Sequence, residues 1–342
     1  MKEVINNSLI STVTLIVFLL ILEGMFKFFI PQQLSGSWRT ISEHGYLLNK
    51  ANWESTHRFN GVEAKYRFNE FHMRGDDVDF ANKNILVLGD SYSFGWLLEE
   101  DSSFVGQLQN SIQTTFPEEK IKLLNASAGG WGLADQLDYL REFGDKIKPK
   151  YIFLFFNFTS IENSQTRKKF VGSAGLLSSL KVLLNDSKIY QLFLENSHLV
   201  QWVRNQLIKS SLSGDEPNML GNSTQENENI NIKGIELGNQ LFTEIDEECN
   251  KIESKLVVIV PGFNWKGKTM ADAEFAFLSQ ASDFFSDLNV DFYNLEDCIN
   301  SNINQENNHE FLIPEEYHPN SKGSRIISKC VFNELMPVLN SL

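Results

Sequence analysis

The chain has 342 residues, 42% of them hydrophobic, which suffices for one large α/β domain with additional segments. Its 30 basic and 44 acidic residues give a formal charge of −14, which argues against nucleic acid as a partner because a polyanion requires a basic surface. Cys249, Cys298 and Cys330 lie far apart without Cys-x-x-Cys spacing, so neither a zinc site nor a disulfide framework is predicted. We interpret them as small buried apolar residues, with one disulfide plus a spare thiol as the alternative.

Residues 1–30 form the first segment. Residues 9–22 are almost wholly apolar, and the apolar character resumes after Glu23. As a helix, residues 9–22 rise about 21 Å, so a span of a hydrocarbon core of roughly 30 Å needs the second part too. There Glu23 and Lys27 are four residues apart and can pair near the interface. We predict a retained membrane anchor; a cleaved signal peptide is the alternative, although no small-x-small cleavage site follows.

Residues 31–82 are polar and aromatic without sustained periodicity, and we predict an extension that packs on the core. Residues 85–88 form a continuous apolar run that suits a strand buried on both faces. Gly89 then permits a backbone conformation that a residue with a side chain would resist. This turn leaves Ser91 at the carboxyl end of the strand, where open α/β sheets bind ligands. An ordinary Gly-Asp-Ser turn is the alternative.

The rest of the chain alternates between helical spacing and short apolar runs, which indicates a parallel α/β sheet. An insertion is expected at about residues 161–254, with helical spacing over 176–208 and a polar surface loop over 210–231. Strands are predicted at residues 121–124, 151–156, 256–260 and 290–295, and helices at 102–116, 133–143, 234–251 and 271–288.

Several motifs resemble the conserved blocks of the SGNH (GDSL) hydrolases. The run from Gly89 to Ser93 resembles the first block, with Ser91 in its Gly-Asp-Ser motif, and it is not the Gly-x-Ser-x-Gly elbow of the α/β-hydrolases. Residues 125–132 resemble the second block and place its glycine at Gly130. Asn157 matches the asparagine of the third block, although phenylalanines replace the neighbouring Gly and Asp.

The final block is recognised in residues 311–323. His318, followed by Pro and Asn, matches the general base, and Glu315 stands where the family has Asp, with Glu316 as a competing candidate. The alternative is a surface histidine before a helix. Upstream, Tyr66, Asn69 and the Arg-Gly pair at Arg74 resemble the lead-in of membrane-anchored SGNH proteins; a short strand and loop packing on the sheet is the alternative.

The resemblance implies a three-layer flavodoxin-like α/β fold with a central parallel sheet of about five strands over residues 83–342, the insertion excepted. Ser91 is the expected nucleophile, His318 the base and Glu315 the acid that orients it. The oxyanion donors would be the Ser91 and Gly130 backbone N–H groups and the Asn157 side chain. No metal and no organic cofactor are implied. Three further residues are expected beside the substrate, namely Asp90, Tyr92 and Trp131.

The function that this resemblance implies is a membrane-anchored esterase that removes acyl groups, acetyl in particular, from a carbohydrate of the cell envelope. Analogy places the catalytic domain on the extracytoplasmic side. The same residues would serve a polysaccharide O-acyltransferase, which with one span would need a multi-pass membrane partner. Two further alternatives are a lysophospholipase, if the insertion forms an apolar lid, and a catalytically silent domain that binds glycan through Trp96 and Trp131.

Overall fold

The computed structural model describes residues 2–167, 185–211, 232–261, 272–303 and 307–342. The chain divides into two compact units. Among the described residues, the first unit comprises 2–37, 55–63 and 185–211, and the second comprises the remainder.

The first unit is built mainly from helices. Helix α1 is Lys2–Phe29, α6 is Lys188–Asn196 and α7 is His198–Ser211. By length and composition, Glu3–Phe29 can cross a membrane, and a signal sequence near an N-terminus has the same properties. The predicted surface loop at 210–231 and the first part of the predicted helical region at 176–208 lie mostly outside the described residues.

The second unit contains a five-stranded parallel sheet in the order β6-β5-β7-β8-β9. Relative to the chain this order is 2-1-3-4-5, the flavodoxin-like arrangement, so the predicted fold class is confirmed. The strands are β5 Lys83–Leu88, β6 Ile121–Asn125, β7 Tyr151–Phe155, β8 Lys255–Val260 and β9 Asp291–Asn294. Before the sheet in the chain come β1 Arg39–Ile41, β2 Leu47–Asn49, β3 Trp53–Phe59, most of which belongs to the first unit, and β4 Val62–Phe68.

Alternate residues of each sheet strand bury against opposite layers of helices. Leu86 and Leu88 of β5 contribute to one apolar cluster, while Ile85 and Val87 contribute to the other. The first cluster includes residues of α4 Leu133–Ile147, α8 Ile232–Lys251 and α9 Asp272–Asp287. The second includes residues of α3 Phe104–Thr115, α10 Glu296–Asn300 and α11 Ser321–Asn340. The short helices α2 Ser91–Phe94 and α5 Thr159–Gln165 follow β5 and β7.

The cysteines differ from the prediction. Cys298 of α10 and Cys330 of α11 form a disulfide, whereas Cys249 is free and buried, so the interpretation of all three as buried apolar residues is right only for Cys249. The two partners are 32 residues apart, and only the packing of α10 beside α11 brings them together. A disulfide that closes a loop of this length stabilises a fold by about 3–4 kcal/mol in the chain-entropy description.

Candidate active site

Ser91 is the first residue of α2, directly after β5. Asp90 caps this helix, because its Oδ1 accepts a hydrogen bond from the Tyr92 backbone N–H at 2.9 Å. Gly89 is required for a different reason from the one predicted. The φ angle of Gly89 is not positive, so its backbone conformation does not require a glycine. A Cβ at this position, however, would lie 2.4 Å from Ser93 Oγ and 3.3 Å from the Phe155 carbonyl oxygen. The sharp turn at Ser91 therefore depends on space beside Gly89.

Residues upstream of the sheet hold the chain that follows Ser91. The Arg74 side chain is 4% exposed, and its Nη1 donates to the carbonyl oxygens of Phe94 and Gly95 at 2.6 and 2.9 Å. The Tyr66 hydroxyl accepts a hydrogen bond from the Leu97 backbone N–H at 2.8 Å. Buried backbone groups need such partners, so two members of the lead-in motif fix the turn that carries Ser91.

His318 connects the serine to a carboxylate. Its Nε2 lies 2.8 Å from Ser91 Oγ, and its Nδ1 lies 3.0 Å from Glu316 Oε2. The side chains of His318 and Glu316 are each 19% exposed, so both are shielded from water but reachable. With the proton on Nδ1 donated to Glu316, Nε2 is the acceptor for the Ser91 hydroxyl, which is the hydrogen-bonding order of a serine hydrolase.

The carboxylate that contacts His318 is that of Glu316, and the prediction of Glu315 is corrected. Ile313 accepts a hydrogen bond from the Glu316 backbone N–H at 3.0 Å, which closes a four-residue turn with Pro314 at its second position. Glu315 occupies the third position with φ of 61°, the pattern of a type II turn. The turn exposes Glu315 at its corner and brings Glu316 back toward the histidine.

The loop that carries His318 is closed by backbone hydrogen bonds and by the cap of α11. Ile313 donates its backbone N–H to the His318 carbonyl at 2.9 Å. Asn320 Oδ1 accepts from the N–H groups of Lys322 and Gly323 at 2.8 and 3.1 Å. A Cβ on Gly323 would lie 2.4 Å from the Phe311 carbonyl oxygen. The Asn and Gly of the final block therefore position the start of α11 behind the histidine.

Aromatic rings flank the imidazole of His318. The Tyr92 and Trp96 rings lie 5.0 and 5.7 Å from it, centroid to centroid, and the Tyr92 hydroxyl donates to the Tyr317 carbonyl at 2.9 Å. Trp131 does not lie beside the substrate as predicted. It is 1% exposed, and its Nε1 donates to the Leu47 carbonyl at 2.6 Å, so it is a core residue.

Asn157 follows β7 and is oriented by several hydrogen bonds. Its Oδ1 accepts from the Ser160 backbone N–H at 3.2 Å and from the Thr159 hydroxyl. Its Nδ2 donates to Asp90 Oδ2 at 2.5 Å. In this orientation the amide nitrogen faces Asp90. One of its two N–H groups binds the Asp90 carboxylate, and the second is left as a donor. Burial raises the pKa of Asp90, while the hydrogen bonds from Asn157 and Tyr92 act in the opposite direction.

Gly130 lies in the turn between β6 and α4, with φ of +81° and open space around the position of a Cβ. Its left-handed backbone, rather than close packing, explains why a glycine is favoured there. Strands β6, β5 and β7 are adjacent and parallel, so the turns with Gly130, Ser91 and Asn157 follow the same edge of the sheet. Within the described ranges, no group of three or more His, Cys, Asp or Glu could hold a metal ion.

Two of the features above were not identified from sequence. Glu316 was only a competing candidate, and the flanking position of Trp96 against His318 was not foreseen. The Pro-Glu-Glu run is the signal for the first, because Pro at the second turn position favours a corner at the next residue. No local sequence signal indicates the position of Trp96 beside His318, since the two residues are 222 positions apart in the chain.

Comparisons with known proteins give structural similarities only. No family model matches the chain, and no curated protein matches it. An esterase, EstA, from Pseudoalteromonas sp. is 14% identical with a TM-score of 0.45, and the match covers 76% of this chain and 100% of that one. An acetylxylan esterase from Geobacillus stearothermophilus is 12% identical with a TM-score of 0.44, covering 74% and 94%.

A third solved structure is a member of the lipolytic G-D-S-L family from Veillonella parvula, 10% identical with a TM-score of 0.44, covering 74% of this chain and 98% of that one. At these values function has to be inferred from the site itself. The features of the site itself are the flavodoxin-like sheet order, the position of Ser91 after the first sheet strand and the hydrogen bonds that join serine, histidine and carboxylate.

Proposed function

We propose that the protein is a serine esterase of the SGNH type, anchored in a membrane, that removes acyl groups from a carbohydrate of the cell envelope. The observation that carries the proposal is the continuous hydrogen-bonded path from Ser91 Oγ through His318 to Glu316. A silent binding domain has no need of a serine bonded to an imidazole that is itself bonded to a carboxylate. The path therefore favours catalysis over a scaffold.

Acylation begins when Ser91 Oγ attacks the acyl carbon and His318 Nε2 takes the hydroxyl proton. Glu316 keeps the other ring proton on Nδ1 and stabilises the imidazolium that forms. The tetrahedral intermediate then collapses as His318 returns the proton to the leaving sugar oxygen. Water attacks the acyl-serine in the second half, with His318 again accepting and returning a proton. No step requires a metal or organic cofactor.

The negative oxygen of the tetrahedral intermediate needs fixed donors. We assign this role to the backbone N–H groups of Ser91 and Gly130 and to Asn157 Nδ2. Asn157 is suited to this role because its side-chain oxygen accepts hydrogen bonds from Ser160 and Thr159. Its amide nitrogen is therefore the group that can donate to the substrate oxygen. The bond from Nδ2 to Asp90 further fixes the amide plane, which makes the remaining N–H a preorganised donor.

An acylated carbohydrate suits the surroundings of the triad. The Tyr317 side chain is 53% exposed immediately before His318, and an exposed aromatic ring offers an apolar face with a polar tip. Such a ring can pack on the apolar face of a sugar while Ser91 attacks a substituent on it. An acetyl group is the acyl group that we propose.

A membrane anchor with the catalytic unit on the extracytoplasmic side is part of the proposal. The disulfide between Cys298 and Cys330 supports that side, because disulfides persist in oxidising compartments and are rare in the cytosol. A membrane-impermeant protease applied to intact cells should degrade the catalytic unit. Protection of that unit until the cells are opened would contradict the assignment.

The first experiment is intact mass after exposure to a fluorophosphonate, beside the Ser91→Ala variant. A single adduct that is absent from Ser91→Ala establishes an activated serine. Release of acetate from an acetylated oligosaccharide then supports the esterase, and transfer to an added sugar acceptor supports an O-acyltransferase with a multi-pass partner instead. A well-folded protein that forms no adduct would reject the catalytic proposal and favour glycan binding alone.

Release of fatty acid from lysophospholipid, with no release of acetate, would point to a lysophospholipase. That activity would be favoured if the insertion formed an apolar lid, and residues 168–184 and 212–231 of the insertion lie outside the described residues. The substrate panel therefore has to include both an acetylated oligosaccharide and a lysophospholipid.

A further inference from the structure

The carboxylate of Glu23, near the end of the apolar helix α1, is bound by the start of α7. Its oxygens accept hydrogen bonds from Ser197 Oγ at 2.6 Å and from the backbone N–H groups of His198 and Leu199 at 2.8 and 3.0 Å. The sequence predicted pairing of Glu23 with Lys27, whereas these bonds make Glu23 a cap for α7. The carboxylate thus has several donors on a second helix.

Further contacts join the end of α1 and the residues that follow it to α7, and the Gln32 backbone N–H donates to His198 Nδ1 at 2.9 Å. The ring of Phe26 lies 5.0 Å from that of Trp202, one turn farther along α7. Beyond the end of α1, the side chain of Asn205 donates to Gln32 Oε1 at 3.1 Å. Helix α7 therefore runs beside the last turns of α1 rather than touching it at a single point.

Helices α6 and α7 leave apolar side chains uncovered. On α6 the exposed residues Ile189, Leu192 and Phe193 recur at spacings that place them on one helical face, with 70, 62 and 51% of each residue exposed. On α7, Val203 and Leu207 are exposed and lie one turn apart. We call these five residues the apolar face of the first unit. Leu192 and Phe193 precede Ser197, the residue that binds Glu23, by only five and four positions, and Phe28 and Phe29 at the end of α1 are also exposed.

We propose that this apolar face lies in the headgroup region of the bilayer that α1 crosses, so that α6 and α7 form a second, interfacial attachment to the membrane. The occupant follows from continuity with α1. A span of roughly 30 Å uses about 20 residues, and α1 has 28, so the turns from Glu23 onward lie at or near the interface. The start of α7, which binds Glu23, and the end of α6, which directly precedes it in the chain, therefore lie at that depth.

Two properties of the first unit agree with an interfacial position. A carboxylate at membrane depth needs partners, and the start of α7 supplies them to Glu23. Lys188 is exposed at the start of α6, beside Ile189, and a basic residue flanking an apolar helical face is typical of helices at an anionic lipid surface. The assignment rests on the proposed membrane anchor and is independent of esterase activity.

The test uses the full-length chain with Leu192→Cys, labelled with an environment-sensitive fluorophore, in nanodiscs of phosphatidylcholine and phosphatidylglycerol. Because interfacial helices lie within about 5–10 Å of the acyl boundary, a nitroxide placed near the lipid headgroup should remove about half or more of the fluorescence. A water-soluble quencher should act less on this label in nanodiscs than on the same labelled chain when it is unfolded in buffer without detergent.

Matched substitutions identify the cause. Replacing Ile189 and Phe193 with Asp in the labelled chain should abolish nitroxide quenching, while replacing both with Leu should preserve it. Glu23→Leu should also reduce quenching, because α7 loses its partner on α1, and Glu23→Gln should retain more of it. Circular dichroism of each variant establishes that the chain is folded.

Three results would overturn the inference. A label that the aqueous quencher reaches freely, with no effect of the nitroxide, places the apolar face in water. A label shielded from both quenchers shows that protein covers it. Shielding from both quenchers that is confined to discs with two chains assigns the face to a second copy. Because none of these readouts involves Ser91, failure here leaves the esterase proposal untouched.

Discussion

The turn that carries Ser91 and the loop that carries His318 are built in contrasting ways. The Ser91 turn joins a buried strand to a short helix, and the buried side chains of Arg74 and Asp90 hold its backbone. The His318 loop is half exposed and includes a non-glycine residue, Glu315, at φ of 61°. The first is rigid because it is buried, whereas the second depends on its turn geometry and on the cap of α11.

This contrast explains why the position of the serine could be predicted from neighbouring residues, whereas the carboxylate that contacts His318 could not. A Gly-Asp-Ser run directly after an apolar strand indicates where its serine lies, and the Asp90 cap and the Arg74 side chain then hold the turn. In the final block, counting three residues back from His318 gave Glu315, but the turn rotates that residue outward and presents Glu316. Substitutions in the Ser91 turn therefore test the chemistry of the serine, whereas substitutions in the His318 loop test which carboxylate the turn brings to the histidine.

The largest effect is expected from Ser91→Ala. Removal of the nucleophile leaves only oxyanion stabilisation and binding, so kcat for a small acetyl ester should fall by about 10⁴–10⁶. Because Ser91 is at the first position of α2 and its hydroxyl bonds only to His318 among the described side chains, folding should be unaffected. Equal activity of the variant would exclude Ser91.

The two carboxylates of the loop provide the sharpest comparison. Glu316→Gln should lower kcat by about 10³–10⁴, because an amide cannot hold the His318 tautomer or stabilise the imidazolium. Glu315→Gln should change kcat little, since that side chain lies at the exposed corner of the turn. Steady-state kinetics of the pair decides the assignment, and the opposite ranking would restore Glu315.

Asn157→Ala should lower kcat by about 10²–10³ with a much smaller change in KM, as expected for loss of one oxyanion donor. The matched control is Thr159→Val, which removes a hydroxyl bonded to Asn157 Oδ1 but keeps the amide nitrogen. Its effect should be distinctly smaller. Unchanged turnover in Asn157→Ala would remove this residue from the site.

The general fold was predictable because five apolar strands alternate with amphipathic helices, and that pattern dictates a parallel sheet with helices on both faces. Contacts between distant parts of the chain were not predictable. The disulfide between Cys298 and Cys330 depends on which helices are neighbours, and the burial of Trp131 depends on Leu47, 84 residues away. Each requires knowledge of the assembled layers.

Replacing Cys298 and Cys330 with Ser should lower the free energy of unfolding by about 2–4 kcal/mol, because the open chain regains loop entropy. The disulfide joins α10 to α11 and does not include a residue of the His318 loop. We therefore expect a loss in stability with little change in kcat below the melting transition. Cys249→Ser is the matched control for sulfur removal without disulfide loss. Denaturant unfolding with and without reductant measures the difference.

The smallest effect is expected at the corner of the turn. Glu315→Gly should remove the cost of a side chain at positive φ, roughly 1 kcal/mol, which the greater freedom of glycine in the unfolded chain partly offsets. The free energy of unfolding should therefore rise by a few tenths of a kcal/mol, with kcat unchanged. Glu316→Gly, at the next position, should reduce kcat severely because it removes the partner of His318. A Glu315→Gly variant that loses activity while remaining folded would contradict this expectation. The Glu315 side chain would then help to position the His318 loop, in addition to the turn geometry and the cap of α11.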